Sequence, residues 1–401
     1  MLQRGCLTWL LASLFYTYQY ILRVIPNIIA PELIAKFKIN ITDVGQFCGL
    51  YYVGYTIAHI PIGLFLDRFG PKFVLPICIV LTFIGMLPLV YLNEWYYSVL
   101  GRIIVGIGSS ASAIGIFKIA NIYFSQEKST RIASLSIIIG LLGAVYGGLP
   151  LNFLLSKFSW YNVIRTFSAF GCFLALMLFL VTPSNNIQET MSSNIFQDLR
   201  SVFFNRYIIL ISFFSGLMVG PLEGFADGWS KVFLCEMYQM TGNLASFFSS
   251  FIFVGMGFGV FFLAYLLDKY PNRYYEVIIA CSFTMIIGFL LLFARVSLYI
   301  ALPSLFIIGF ASGYQVITIY KAISYVNDNL VGLATAVSNM IVMIFGYFFH
   351  IGIAKIIDLS WNEIVQENSI YSIKLMIKAI SIIPICLLFA AFGFFWLKKR
   401  S

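Results

Sequence analysis

Charge is what this chain has least of. Asp, Glu, Lys and Arg make up 10% of its 401 residues, whereas a soluble protein carries roughly a quarter. That is too little to cover a globule in water. With 61% hydrophobic residues and a mean hydropathy of +0.93, the chain needs a lipid bilayer as the solvent for most of its surface. Histidine is scarcer still: His59 and His350 are the only two, and no H-E-x-x-H run is present. A membrane-embedded enzyme would need a metal cluster or a nucleophile–base pair, and neither is offered. The absence of a G-x-x-x-x-G-K-[ST] run argues against ATP drive by this chain itself. The seven cysteines (Cys6, Cys48, Cys78, Cys172, Cys235, Cys281 and Cys386) form no C-x-x-C pair and lie mostly in apolar stretches. They read as small buried hydrophobes rather than disulfides or metal ligands. No enzymatic activity, cofactor or metal is expected.

What charge there is sums to +9. Nucleic-acid binding would gather the cations into a stripe, but here they are scattered among apolar spans, as the Lys/Arg bias of cytoplasmic loops requires. Arg4 before an apolar run imitates a signal peptide. The run is too long for one and many spans follow, so it reads as an uncleaved first helix.

A helix needs about 20 mostly apolar residues to cross hydrocarbon. Stretches of that kind fall at 7–29, 44–66, 73–92, 96–123, 132–155 and 163–181, then at 207–232, 244–267, 275–293, 298–319, 331–357 and 373–397. The longest polar stretch, 182–205, carries Pro183, Asn185, Asn186, Glu189, Asp198 and Arg200 and reads as a cytoplasmic linker between two six-helix halves, 1–181 and 206–401. The expected fold is an all-α membrane protein of twelve transmembrane helices in two six-helix bundles. Arg68, Lys72, Lys128, Arg131, Arg200, Arg206, Lys269, Arg273 and the tail Lys398-Lys399-Arg400 fall on one side, which puts both termini in the cytoplasm. The opposite loops hold Lys36, Lys38, Lys157 and Lys231 among Glu32, Asp43, Glu94, Glu236, Asp358, Glu363 and Glu367. All six tryptophans (Trp9, Trp95, Trp160, Trp229, Trp361 and Trp396) stand near expected span ends, as interfacial anchors do.

Between the second and third stretches runs Gly63-Leu64-Phe65-Leu66-Asp67-Arg68-Phe69-Gly70-Pro71-Lys72, a knot of charge where lipid gives way to water. A degraded echo, Asp268-Lys269-Tyr270-Pro271-Asn272-Arg273, follows the eighth stretch, with Ala264 in place of Gly63; parallel repeats of this kind mark transporters. The first run resembles the loop between the second and third helices of major facilitator superfamily transporters. Gly101-Arg102-Ile103-Ile104-Val105-Gly106-Ile107-Gly108 is similar to that family's R-x-x-x-G-x-G pattern, and Gly140, Gly143, Gly147, Gly148 and Pro150 to its glycine–proline motif in loosened form. The stretches Gly220 to Trp229 and Gly332 to Gly346 also have the look of bacterial members.

The resemblance implies a secondary transporter that moves a small solute by alternating access. It also implies a gate, in which Asp67 meets the amino end of the eleventh helix, around 330–335, when the cytoplasmic side closes. A carboxylate at a helix N-terminus is electrostatically favoured, strongly enough to bias a two-state equilibrium and weakly enough to break each cycle. Arg68 and Lys72 would brace the loop or meet lipid phosphate, Gly63 would let two helices approach, and Gly70 would allow the turn. Pro71 stands where many relatives have Arg or Lys, which weakens a phosphate role. The plain alternative is a positive-inside loop without gating.

Ionisable groups inside spans are functional candidates, because burial costs at least about 2.5–3.5 kcal/mol each. Tyr16, Tyr20, Arg23 and Asn27 recur at helical spacing on one face of the first helix, which lines the central cavity in the family. A guanidinium there can clamp a carboxylate or phosphate; pairing with an acid or snorkelling outward is the alternative. Glu223 and Asp227, four apart, share a face and could take a coupling proton or hold a substrate ammonium, or else sit solvated beside Trp229. His59 and His350 are candidate proton carriers, as is Arg102 by its motif; each histidine alone is as readily a packing residue. Gln315 and Asn339 are cavity polars from the second half, though interhelical hydrogen bonding would explain them equally.

Cations and acids together suit a carboxylate-bearing solute such as an amino acid or short peptide, with protons as coupling ion. An organic anion or sugar phosphate is the close rival, and drug or metabolite export a further one. The expected partners are the small solute, the bilayer and protons, with no nucleic acid. The expected state is a monomer in a bacterial inner membrane.

Overall fold

The structure is a computed structural model that describes residues 2–183, 195–270, 272–327, 330–359 and 373–400. Linker residues 184–194, Pro271, Trp361, Glu363 and Glu367, and the side chains of Lys128, Arg131 and Asp268, lie outside the described set.

Every regular element among the described residues is helical. Among the described residues, eleven helices are long and apolar enough to cross a membrane. The first helix, α1 (Leu2–Ile28), has the length, 27 residues, but Gln19, Arg23 and Asn27 keep it less apolar than the rest. It is therefore the twelfth rod by length and the least lipid-like by chemistry. Continuous hydrogen bonding inside each rod is the condition for placing backbone in hydrocarbon.

Contacts divide the chain into two compact units, residues 1–39 with 50–195, and residues 40–49 with 196–401. The first contains α1, α2 (Ala30–Phe37), most of α3 (Ile41–Phe69), α4 (Pro71–Tyr91), α5 (Trp95–Ser109), α6 (Ala111–Tyr123), α7 (Gln126–Tyr146), α8 (Leu149–Lys157) and α9 (Trp160–Val181). The fourth and fifth spans are each broken once: α5 gives way to α6 at Ser110, and α7 to α8 at Gly147-Gly148, where a following proline stiffens the next helix start.

The second unit contains α10 (Ile195–Phe203), α11 (Arg206–Leu217), a π-helical segment (Gly220–Trp229), α12 (Ser230–Tyr238), α13 (Gly242–Lys269), α14 (Tyr274–Phe293), α15 (Leu298–Ser312), α16 (Tyr314–Ile323), α17 (Val331–Leu359), α18 (Ile373–Ile380) and α19 (Ile382–Lys398). Part of the stretch expected as linker is thus the short helix α10.

Glycine sets how closely rods cross. A Cβ on Gly54 of α3 would overlap the Ile103 carbonyl, and one on Gly106 of α5 the Tyr51 carbonyl. The second unit repeats the device: Gly255 of α13 meets the Phe306 carbonyl and Gly309 of α15 the Ile252 carbonyl. Small residues that bring two backbones together are the usual membrane interface, and the glycine run at 255–259 is such a surface. A second echo lies in the backbone. α2 ends on Lys38 with φ 53° and α12 on Gln239 with φ 52°, both left-handed helix ends at corresponding places after the first and seventh spans. Beside the first of these ends, Lys36 Nζ donates to the Leu89 carbonyl at 2.7 Å and lies over Phe37 and Tyr161; burial pushes its pKa down.

Three expectations are corrected. Trp229 is buried, 3% exposed, within a span that runs Arg206–Tyr238, so it is a core residue and not an interfacial anchor. Gly63 faces open space, with nothing within 4 Å of a Cβ built there, and brings no helix close in this conformation. Glu223 and Asp227 lie on a π-helical turn, not an α-helical one. Gly70 does serve the turn: its φ of 75° belongs to the left-handed region that glycine occupies without strain.

Gly106→Val should drive a side chain into the Tyr51 carbonyl and destabilise by about 1–3 kcal/mol, the range for overpacking. Gly63→Ala should not destabilise at all. Thermal unfolding of the two variants in detergent checks the contrast, and equal losses would contradict it.

Candidate functional site

In the first unit the polar face of α1 is closed over by α3. Arg23 is 6% exposed, so it does not snorkel. Its guanidinium lies over the rings of Tyr20 at 4.9 Å and Tyr52 at 5.4 Å, within range of attraction to the ring faces. Tyr16 packs edge-on to Tyr20 at 5.2 Å, and Asn27 is buried one turn beyond Arg23. Tyr51 donates to Gln19 Oε1 at 2.5 Å. Further along α3, Tyr55 stacks on His59 with ring centres 5.2 Å apart. The face at 16, 20, 23 and 27 was expected; the tyrosines at 51, 52 and 55 were not. Their own spacing, continued to His59, repeats on one side of α3 and was the signal available.

Arg102 has a different task from the one expected. Its guanidinium donates to the carbonyls of Leu22 and Arg23, both at 2.9 Å, and lies over Tyr51 at 5.0 Å. Pro26 has no N–H, so the Leu22 carbonyl four residues earlier loses its helical donor. Arg102 replaces that donor. Its charge is committed to holding the backbone that carries Arg23, and an arginine keeps its proton in any case.

At the far end of α3 the Asp67 carboxylate accepts from Lys118 Nζ of α6 at 2.8 Å, with the two side chains 58% and 28% exposed. An exposed pair of this kind contributes at most about 1 kcal/mol, so it is easily broken. Arg68 lies over Phe69 and Lys72 over Phe179.

In the second unit all ten residues of Gly220–Trp229 are buried, so Glu223 and Asp227 are not the solvated acids of the alternative reading. His350 Nε2 of α17 stands 3.2 Å from Asp227 Oδ1, with each side chain 2% exposed. Two candidates considered separately are thus one pair. Gly228 makes room for it, since a Cβ there would overlap the His350 ring. Tyr314 of α16 is near enough to Glu223 to feel its charge, and its hydroxyl donates to the Ser215 carbonyl at 2.8 Å. Ser215 and Thr318 hydroxyls meet at 2.9 Å. Gln315 and Asn339 are half-buried on α16 and α17. All seven cysteines are free, and no group of three metal-ligating side chains occurs among the described residues.

Charged side chains gathered inside helices of this number, built as two echoing units, are the layout of a solute carrier, and the family comparison agrees. The Major Facilitator Superfamily profile matches residues 9–350. The chain belongs to the Major Facilitator Superfamily.

It is therefore a multi-pass membrane protein of a transporter family. An uncharacterised transporter of Buchnera aphidicola subsp. Schizaphis graminum is 26% identical over 223 residues, 52% of this chain and 54% of that one. The uncharacterised transporter YybO of Bacillus subtilis is 24% identical over 159 residues, 39% of this chain and 37% of that one. The chain thus spans about half, or less, of these curated relatives. Among solved structures, a bacterial homologue of the human lysosomal transporter Spinster has a TM-score of 0.77 at 16% identity, covering 99% of this chain and 97% of that one. The nucleoside transporter NupG gives 0.74 at 14% identity, covering 98% and 100%. A D-xylose–proton symporter gives 0.70 at 14%, covering 95% and 96%. Likeness at such identity concerns the fold; two of these proteins are named for different cargoes, nucleosides and D-xylose.

Arg102→Ala should leave the Leu22 carbonyl without a donor and destabilise by about 3 kcal/mol, the range for a lost charged hydrogen bond in a buried place. Pro26→Ala in that background restores an N–H and should recover about 1 kcal/mol. Thermal unfolding of the two variants against the parent measures both steps. A double variant no more stable than Arg102→Ala would show that Arg102 does not substitute for the missing N–H.

Proposed function

We propose that this facilitator carries a small carboxylate-bearing solute, an amino acid or short peptide, by alternating access and in symport with protons. It works as a monomer in a bacterial inner membrane, with both termini in the cytoplasm and with halves 1–181 and 206–401 joined by 182–205. The observation that carries the reading is Arg23, a buried cation between the rings of Tyr20 and Tyr52 and held in place by the Arg102 clamp on its own carbonyl. A guanidinium in a low-dielectric, aromatic-walled place offers a planar fork matched to a carboxylate. The tyrosines supply flat apolar surface for the rest of the solute and hydroxyls to orient it. Within the second unit, Gln315 and Asn339 are the neutral hydrogen-bonding candidates. His59, Glu223, Asp227 and His350 are the titratable groups available for coupling.

Gating is assigned to the charged turn, with Asp67 as its breakable group. The Asp67–Lys118 contact supports this, because a carboxylate paired weakly at the surface can change partner at small expense. Gly70 fixes the turn, and Arg68 and Lys72 flank it.

Two measurements test the proposal. Purified protein screened by thermal shift against amino acids, dipeptides, organic acids and sugar phosphates should be stabilised by a carboxylate-bearing member, since a ligand bound to the native state raises its melting temperature. Arg23→Ala and Arg23→Lys should both lose that shift, because an ammonium cannot reproduce the bidentate fork. Undiminished stabilisation in either variant removes Arg23 from the site, and a shift from sugar phosphates alone moves the assignment to phosphorylated cargo. In proteoliposomes, Asp67→Asn should cut uptake of that ligand about tenfold, equivalent to about 1.4 kcal/mol on the gating equilibrium, with an unchanged melting temperature. Full uptake would leave the turn without a gating role.

A further inference from the structure

Asp227 and His350 meet on two different helices with almost no solvent between them, and the reading above leaves open which groups hold the proton. We propose that the two side chains form a single proton-binding site, seated on the π-helical turn of the seventh span. The proposal rests on the reading that transport is proton-coupled and names where the proton is carried.

Geometry comes first. Nε2 of His350 and Oδ1 of Asp227 are 3.2 Å apart and each side chain is 2% exposed. The backbone around them is shaped for the meeting. Gly228 lacks the Cβ that would strike the imidazole, and Gly224 lacks the one that would crowd Phe349 on the same face of α17. A pair reached through two glycines on one helix is a built contact.

Charge follows. With one proton bound on the imidazole, the carboxylate and imidazolium sum to zero. Without it the imidazole is neutral and the pair is left with one negative charge. An uncompensated charge held in low dielectric is much less favourable than a balanced pair. The step is a simple dissociation, in which the N–H bond of the imidazolium breaks, its electron pair stays on nitrogen, and the proton leaves to water. The two states therefore differ sharply in how well they tolerate enclosure, which is what a coupling site must provide.

The element that carries Asp227 can respond. In the segment Gly220–Trp229 the Ser230 N–H bonds to the Phe225 carbonyl, five residues back, and three glycines and Pro221 lie within it. A π-helical segment set into an α-helical span is rare and is frequent at functional sites. A shift by one hydrogen-bond register would rotate Asp227 relative to His350.

Other charged groups near the segment are placed as follows. Glu223, one turn earlier and 1% exposed, shares its electrostatics, with Tyr314 of α16 beside it. On α12, Lys231, Cys235 and Glu236 are half-buried; on α17, Lys355 and Asp358 are exposed. Among described side chains, α13 has Tyr265 and Lys269, and α15 Tyr299, at exposed positions; α19 has Cys386 half-buried and Lys398 paired with Glu276. Asp43 and Cys48 lie on the 40–49 segment of α3, whose Gly45 would meet the His350 carbonyl and Trp229.

The chain's two histidines make the test clean. Full-length protein labelled with nitrogen-15 at its imidazoles gives two sets of signals, assigned with His59→Gln, and protons are the probe. In Asp227→Asn the proton affinity of the pair, read at the His350 ring nitrogens, should fall about tenfold or more, because the neighbouring negative charge is gone. Asp227→Glu should stay within about threefold of the parent. The His59 signals, from the other unit, should not move, which reports that the fold is intact. A His350 midpoint identical in the parent and Asp227→Asn would overturn the proposal. No cargo is needed for this titration, so it stands apart from the transport reading. Uptake indifferent to a proton gradient in the parent would sink proton coupling and leave the titration result untouched.

Discussion

A carbonyl or N–H set in hydrocarbon must find its partner inside the protein, and this single demand explains the arrangement around Arg23. Pro26 interrupts α1 and strips the donor from the Leu22 carbonyl. In water the gap would be filled by solvent; in a membrane the missing bond costs several kcal/mol. Arg102 fills it from another helix, at 2.9 Å to Leu22 and 2.9 Å to Arg23. The clamp reaches α1 only because Gly106, one turn beyond Arg102, lets α5 lie against α3 with its backbone in contact with the Tyr51 carbonyl. Proline, arginine and glycine on three segments thus form one solution to one problem. Its by-product is a fixed platform from which Arg23 projects among tyrosines.

The same demand acts on the second unit, with different chemistry. The glycine crossing recurs at Gly255 and Gly309, and the left-handed helix end of Lys38 recurs at Gln239. The scaffold is thus repeated while the functional groups are not. Where the first unit holds buried cations, Arg23 and Arg102, the second holds Glu223, Asp227 and His350. The duplicated frame thus holds buried charge of opposite sign in its two units.

The rods were legible because lipid imposes length and apolarity, and both can be counted along the chain. The face of α1 was legible because 16, 20, 23 and 27 follow the helical period. The charged turn was legible because Gly63, Asp67, Arg68, Gly70 and Lys72 fall in one short run whose spacing resembles the family's loop. What was hidden is pairing between distant segments. Nothing local in 220–229 or 331–359 announces that Asp227 and His350 touch, and nothing near Arg102 points to the carbonyls of α1. Trp229 misled for a physical reason: Glu223 and Asp227 interrupt the apolar run, so the span seemed to end near the tryptophan when it continues to Tyr238. Gly63 misled because a motif residue was assigned a close contact that this conformation does not make.

The two buried charge centres differ in what they can do. Arg23 keeps its charge at any attainable pH, so its electrostatic pull on an anion is constant and only geometry can release the cargo. Asp227 with His350 can change its net charge by one, so its tolerance for enclosure varies while its position is held by Gly228 and the helix behind it. A carrier needs both kinds of centre, one that recognises and one that reports which side of the membrane has been visited. Placing the variable centre on a π-helical turn, rather than on a regular helix, ties a proton to a backbone register. On the proposed reading, the seventh span, rather than the charged turn at Asp67, is where an ion gradient is most directly converted into a change of shape.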